Sequence, residues 1–150
     1  MSSRVILVTG ANGGLGQAIA KGFLEESSEN SVWLGVRSRA EKAEALATMF
    51  ADRCQKIELD VSESTAWQRT VKEILAKDGS IDVLVNNAGS HHDGLLANLT
   101  TENWRQVLST NLDGVFLGCQ AVLPTMISQR NGRIINIASL SALLAPAGQT

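Results

Sequence analysis

A chain of 150 residues, 44% apolar and 19% charged, has the size and balance of one globular domain. Its net charge of −2 and pI near 5.7 leave no basic footprint for nucleic acid or an anionic membrane. No apolar run reaches the about 18 residues of a membrane span, the short strand after Met1-Ser2-Ser3-Arg4 is no signal-peptide core, and Cys54 and Cys119 lack metal-ligand spacing, so the composition reads as cytoplasmic with free thiols.

The first element is the apolar run Val5-Ile6-Leu7-Val8, which breaks into Thr9-Gly10-Ala11-Asn12-Gly13-Gly14-Leu15-Gly16 and then opens a helix. Glycines also mark ordinary tight turns. A strand that ends in glycines at a helix N-terminus, however, points backbone N–H groups at an anion such as a dinucleotide pyrophosphate. No Gly-Lys-Ser/Thr follows, which excludes an ATP-type P-loop, and G-x-G-x-x-G is absent. What remains is T-G-x-x-x-G-x-G on Thr9, Gly10, Gly14 and Gly16, with Leu15, Ile19 and Phe23 as the apolar stripe of the helix behind it.

A strand at Val32-Trp33-Leu34-Gly35-Val36 ends at Arg37-Ser38, and Ser38 with Glu41 predicts a capping box for a helix striped by Ala43, Leu46, Ala47 and Phe50. Lys56-Ile57-Glu58-Leu59 is a third strand, closed by Asp60-Val61. Ser62 is the expected cap of a helix carrying Trp67, Val71, Ile74 and Leu75. Ile81-Asp82-Val83-Leu84-Val85 runs into Asn86-Asn87-Ala88-Gly89. After a loop through His91-His92-Asp93-Gly94 comes the longest helix, about Thr101 to Gln129, striped by Trp104, Val107, Leu108, Leu112, Val115, Phe116, Cys119, Leu123, Met126 and Ile127. Pro124 should bend it. Asn131-Gly132 stops it, and Arg133-Ile134-Ile135-Asn136-Ile137-Ala138 is a fifth strand.

Short apolar strands alternating with helices predict an α/β fold, a doubly wound parallel sheet covered on both faces. Ligands of such sheets bind beyond the carboxyl ends of the strands, where Thr9, Arg37, Asp60, Asn86 and Ser139 all fall.

Gly10 to Gly16, Asn86-Asn87-Ala88-Gly89, Thr110-Asn111-Leu112 and Gly132-Arg133-Ile134-Ile135-Asn136-Ile137-Ala138-Ser139, in that order and spacing, resemble the short-chain dehydrogenase/reductase family in its shorter form. The resemblance implies a Rossmann fold. It implies a pyrophosphate held by Gly10, Asn12, Gly13, Gly14, Leu15 and Gly16, an adenine met by Asp60 and Val61, and an adenosine ribose lined by Asn87, Ala88 and Gly89. Asn111 is similar to the asparagine that holds a proton-relay water, and Ser139 to the serine that positions a substrate carbonyl. In NAD-specific members an acid stands at the Val36 position; here Arg37 and Ser38 follow, with Arg39 nearby, which implies NADP(H). No metal is implied, and His91 and His92 read as solvated loop residues.

Within the family, Asp93-Gly94-Leu95-Leu96 and Glu102-Asn103-Trp104 are most similar to the 3-oxoacyl-[acyl-carrier-protein] reductases. Arg130 matches a basic position those enzymes present near the cleft to the acidic carrier protein, although dipole compensation alone also places arginine at a helix C-terminus. The resemblance implies a homo-oligomer, a dimer or tetramer, for a full-length protein. The family's Tyr-x-x-x-Lys pair falls just past Thr150, and the chain contains no tyrosine. Residues 1–150 are therefore expected to form an NADP-binding Rossmann domain incomplete at its C-terminal side, lacking the catalytic Tyr and Lys and inactive alone. The alternatives left open are a non-catalytic dinucleotide-binding or sensor module, and a related reductase of sugars, steroids or quinones.

Overall fold

The computed structural model describes residues 3–144 and Gly148. Five parallel strands, β1 (Val5–Thr9), β2 (Ser31–Val36), β3 (Cys54–Glu58), β4 (Val83–Asn86) and β5 (Arg133–Asn136), lie in the order β3-β2-β1-β4-β5. Between them run α1 (Gly14–Glu26), α2 (Glu41–Phe50), α3 (Ser64–Asp78), and a helical stretch made of α4 (Thr101–Leu108), a π-turn at Ser109–Asp113 and α5 (Gly114–Gln129); a short α6 (Ser141–Leu144) follows β5. The register pairs Val5 with Ser31 and Ile6 with Val83. Strand order reverses direction beside β1, which opens a crevice at the carboxyl ends of β1 and β4.

Strands β1, β2 and β4 are apolar on both faces because both faces are covered. Ile6, Val8, Val32, Leu34, Val83 and Val85 join Ala20 and Leu24 of α1 and Ala43 and Leu46 of α2 in one buried cluster. Leu7, Trp33, Ile57 and Leu84 turn the other way, onto Trp67 and Ile74 of α3 and Val122 and Met126 of α5. Trp67, 1% exposed, anchors that face, its indole N–H donating to the Val61 carbonyl at 2.9 Å.

Several local expectations are corrected. The buried face of α1 is Gly16, Ala20 and Leu24, not the stripe that begins at Leu15, which is 55% exposed. Ile19 and Phe23 of that stripe are half-buried against the same core cluster and also line an open apolar groove of about 470 Å³ with Ile135 and Ile137. Likewise α5 sets Gly114, Gly118, Val122 and Met126 on the sheet, leaving Phe116 60% and Ile127 70% exposed. A helix apolar all round offers periodicity no single face to select. Pro124 lies inside α5, which continues to Gln129. Neither expected local cap forms: α2 begins at Glu41 without a bond from Ser38, and Ser62 bonds back to Asp60 instead of capping α3. Cys54 is buried, its thiol pushed up to about 11 by burial, and Cys119 is half-buried; both are free.

Candidate dinucleotide cleft

The glycine-rich turn follows from steric necessity at two positions. Gly10 has φ +63, and a Cβ there would stand 2.7 Å from the Ala88 Cα. At Gly16 a Cβ would meet the Gly10 carbonyl oxygen at 2.7 Å and Asn87 Nδ2 at 2.8 Å. These two glycines let the turn, the start of α1 and the end of β4 close on one another. Gly14 differs. It opens α1, and a Cβ there would meet no protein atom within 4 Å, so its bare face is turned to open space.

The closure is held by Thr9. Its Oγ1 accepts the N–H groups of Asn87 and Ala88, each at 2.9 Å, and donates to the Val85 carbonyl at 3.3 Å. In return Asn87 Nδ2 donates to the carbonyls of Thr9 at 2.8 Å and Gly10 at 3.3 Å. Thr9, which the sequence places at a ligand-binding strand end, thus serves the site by fixing the turn and the end of β4 to one another. The Asn87 side chain is consequently spent on the turn, and backbone supplies much of what this strand end offers a ligand.

The structure brings Gly10, Asn12, Gly13, Gly14, Leu15, Gly16, Arg37, Ser38, Asn87, Ala88 and Gly89 around one cleft of about 680 Å³, with Val36 and Arg39. Asp60 and Val61 do not line it. Val61 is buried, packed so closely on α5 that a Cβ on Gly114 would stand 2.9 Å from its Cγ2. Asp60 Oδ2 lies 4.0 Å from Arg37 Nη1, whose side chain is 62% exposed. Burial pushes the Asp60 carboxyl up, but hydrogen bonds from the Ser62 hydroxyl at 2.6 Å and amide at 3.0 Å, with the Arg37 guanidinium, outweigh it and hold the group below its usual value.

Asn111 lies in the π-turn, a distortion frequent at functional positions. Its Oδ1 accepts the Ser90 N–H at 2.9 Å and its Nδ2 donates to the Ser90 carbonyl at 2.7 Å. The amide thus clamps the loop after β4, and what Asn111 can add to a bound water is main-chain. Ser139 is exposed beyond β5, its Oγ accepting from the Ser141 N–H at 3.1 Å. His91 is exposed, and His92 Nε2 meets Asn103 Nδ2 at 2.9 Å; among the described residues no group of His, Cys, Asp and Glu could hold a metal. Arg130 caps α5 with φ +53. Beside it the Gln129 Oε1 accepts the Ile81 N–H at 3.0 Å and Asn131 Nδ2 donates to Asp82 Oδ1 at 3.1 Å, so the cap lies by the residues leading into β4, at the end of the sheet away from the strands' carboxyl ends, and not beside the cleft as expected.

The family model for short chain dehydrogenases matches residues 4–150. The chain is 36% identical over 145 residues to the 3-oxoacyl-[acyl-carrier-protein] reductase FabG of Chlamydia pneumoniae, covering 97% of this chain and 58% of that protein. It is 37% identical over 152 residues to the 2-(R)-hydroxypropyl-CoM dehydrogenase of Xanthobacter autotrophicus, covering 99% and 61%. A crystal structure of a short-chain dehydrogenase from Streptomyces avermitilis superposes with a TM-score of 0.90 at 33% identity, over 99% of this chain and 53% of that one. The chain spans 58–61% of the length of these curated relatives.

Proposed function

The chain belongs to the short-chain dehydrogenase family, and on that premise we propose that residues 1–150 are the dinucleotide-binding part of an NADP(H)-dependent carbonyl oxidoreductase. The observation that carries the cofactor choice is the end of β2. Val36 stands where an acid would accept from both ribose hydroxyls of NAD, and Arg37, Ser38 and Arg39 line the cleft beyond it. A guanidinium offers a planar fork of donors matched to a 2′-phosphate.

The residues present fit the dinucleotide. Gly14 keeps open space before the α1 N-terminus, where unpaired amides and the helix dipole favour a pyrophosphate. Bound there, the nicotinamide would supply or accept the hydride. This chain's own part is to bind, orient and exclude. Ser139 would donate its hydroxyl to a substrate carbonyl, and Asn111, with its side chain fixed on Ser90, would hold the π-turn main chain in place for a relay water. A serine hydroxyl is a poor acid without a base to tune it, so the proton donor would be the tyrosine that residues 1–150 lack.

The substrate class is a 3-oxoacyl thioester on a carrier protein, after the names of the FabG relatives, in a homo-oligomeric cytoplasmic enzyme of fatty-acid or polyketide synthesis. A second reading, another secondary alcohol or ketone, is favoured by the comparable identity to the hydroxypropyl-CoM dehydrogenase. The test is calorimetric titration of the protein, expressed over its whole reading frame, with NADPH and NADH. NADPH should bind about tenfold tighter or more; equal affinity would overturn the assignment.

A further inference from the structure

Asn12 belongs to the glycine-rich turn, yet its side chain reaches a different helix. Its Oδ1 accepts the backbone N–H of Lys42 at 2.9 Å and of Ala43 at 3.2 Å, in the first turn of α2. Those amides are among the donors that a helix leaves unpaired at its start. The residue at the N-cap position, Ala40, has no side-chain oxygen to offer them, so the cap is borrowed from a remote turn. The segment from Arg37 to Ala40 is thus anchored at both ends to neighbouring residues of that turn. On the strand side, the Ala11 N–H donates to the Gly35 carbonyl at 3.1 Å; on the helix side stands Asn12.

We propose that Asn12 is a positioning residue for recognition of the 2′-phosphate: by capping α2 it orders the Arg37–Arg39 segment against the pyrophosphate turn before any ligand arrives. The inference rests on the NADP(H) reading above. A segment ordered in advance loses less entropy when it closes on its ligand, so the benefit falls on ligands that carry a 2′-phosphate. It is absent for those that touch only the turn.

The test compares wild type, Asn12→Ala and Asn12→Ser in the whole protein, each titrated with adenosine 2′,5′-bisphosphate and with 5′-AMP. Serine keeps a capping oxygen. In Asn12→Ala binding of the bisphosphate should weaken about three- to tenfold more than binding of 5′-AMP, and Asn12→Ser should recover part of that difference. Hydrogen exchange at the Lys42 and Ala43 amides should quicken in the same order. A wild type without preference for the bisphosphate overturns the NADP(H) reading and this inference with it. A wild-type preference that survives in Asn12→Ala overturns the positioning role alone, as does equal weakening of both ligands, which would make Asn12 a direct phosphate contact. Should Asn12→Ala fail to fold, Asn12→Ser decides: unchanged exchange at both amides together with a lost preference would overturn the capping argument.

Discussion

The two sides of the sheet are built to different degrees. Around β1 and β2, every β1 residue and all but the first of β2 are buried, and polar groups at the cleft are spent in pairs: Thr9 on Asn87 and Ala88, Asn12 on Lys42 and Ala43. Around β5 most residues are exposed, and the helical stretch from α4 through the π-turn to α5 presents Trp104, Leu112, Phe116 and Ile127 to solvent. Polar groups fixed by internal hydrogen bonds are concentrated where packing is complete. The open side is apolar surface of the kind that marks interaction sites.

If the closed side binds but does not react, residues 1–150 alone should show NADPH oxidation with 3-oxoacyl substrates only at background. Loss of a general acid costs about 10²–10⁴ in rate, and absorbance at the nicotinamide band reads it. Full turnover by the short chain would break the division of labour.

The closed side can itself be divided by its glycines. Gly16→Val should cost about 3 kcal/mol or more of stability, because the new side chain meets backbone at 2.7 Å. Gly14→Val, by contrast, should abolish dinucleotide binding while thermal unfolding moves by only a few degrees, since its side chain meets open space. Calorimetry and circular dichroism together separate the two outcomes, and unchanged affinity in Gly14→Val would contradict the pyrophosphate site.

On the open side, residues 1–150 should self-associate in light scattering, because β5 is an uncovered apolar edge. Ile135→Lys should reduce that association several-fold by placing a charge on the edge; a monomeric starting chain would count against the contrast.

The smallest effect concerns Asp60. Its folded carboxyl is held below the ordinary value, so the stability it contributes is present above the unfolded carboxylate range and is lost as pH falls through the folded value. Its side chain is 34% exposed and its ion pair long, so Asp60→Asn should cost about 0.5 kcal/mol or less at neutral pH. The difference from wild type should shrink in acid urea titrations as pH falls below the ordinary carboxylate range.

Fold class was legible because strands apolar on both faces admit few architectures, and the five runs from Val5 to Ala138 announce themselves. Helix faces were less so. Ala20 and Leu24 bury fully in α1, whereas Ile19 and Phe23 are only half-buried because they also face the groove beside β5. Long-range polar pairs were illegible: nothing in the order of residues announces that Asn12 caps a helix beginning at Glu41, or that Asn111 spends its amide on Ser90. The cleft residues were implied by the family resemblance, and a resemblance does not reveal which side chains are already occupied. Val61 and Asn87 are the examples, one packed on α5 and the other bonded to its own strand end.

The π-turn at Ser109–Asp113 acts as a phase shifter. An i→i+5 turn takes in one residue more than an α-turn, and one residue is roughly 100° of helical rotation. The Ser109 carbonyl accepting from the Gly114 N–H therefore sets α5 out of step with α4, so that Gly114 and Gly118 arrive over Val61 and Trp67 while Asn111 still faces Ser90. A plain α-helical path through the same residues would satisfy one of those two appointments and miss the other; the irregular turn is how a single rod keeps both.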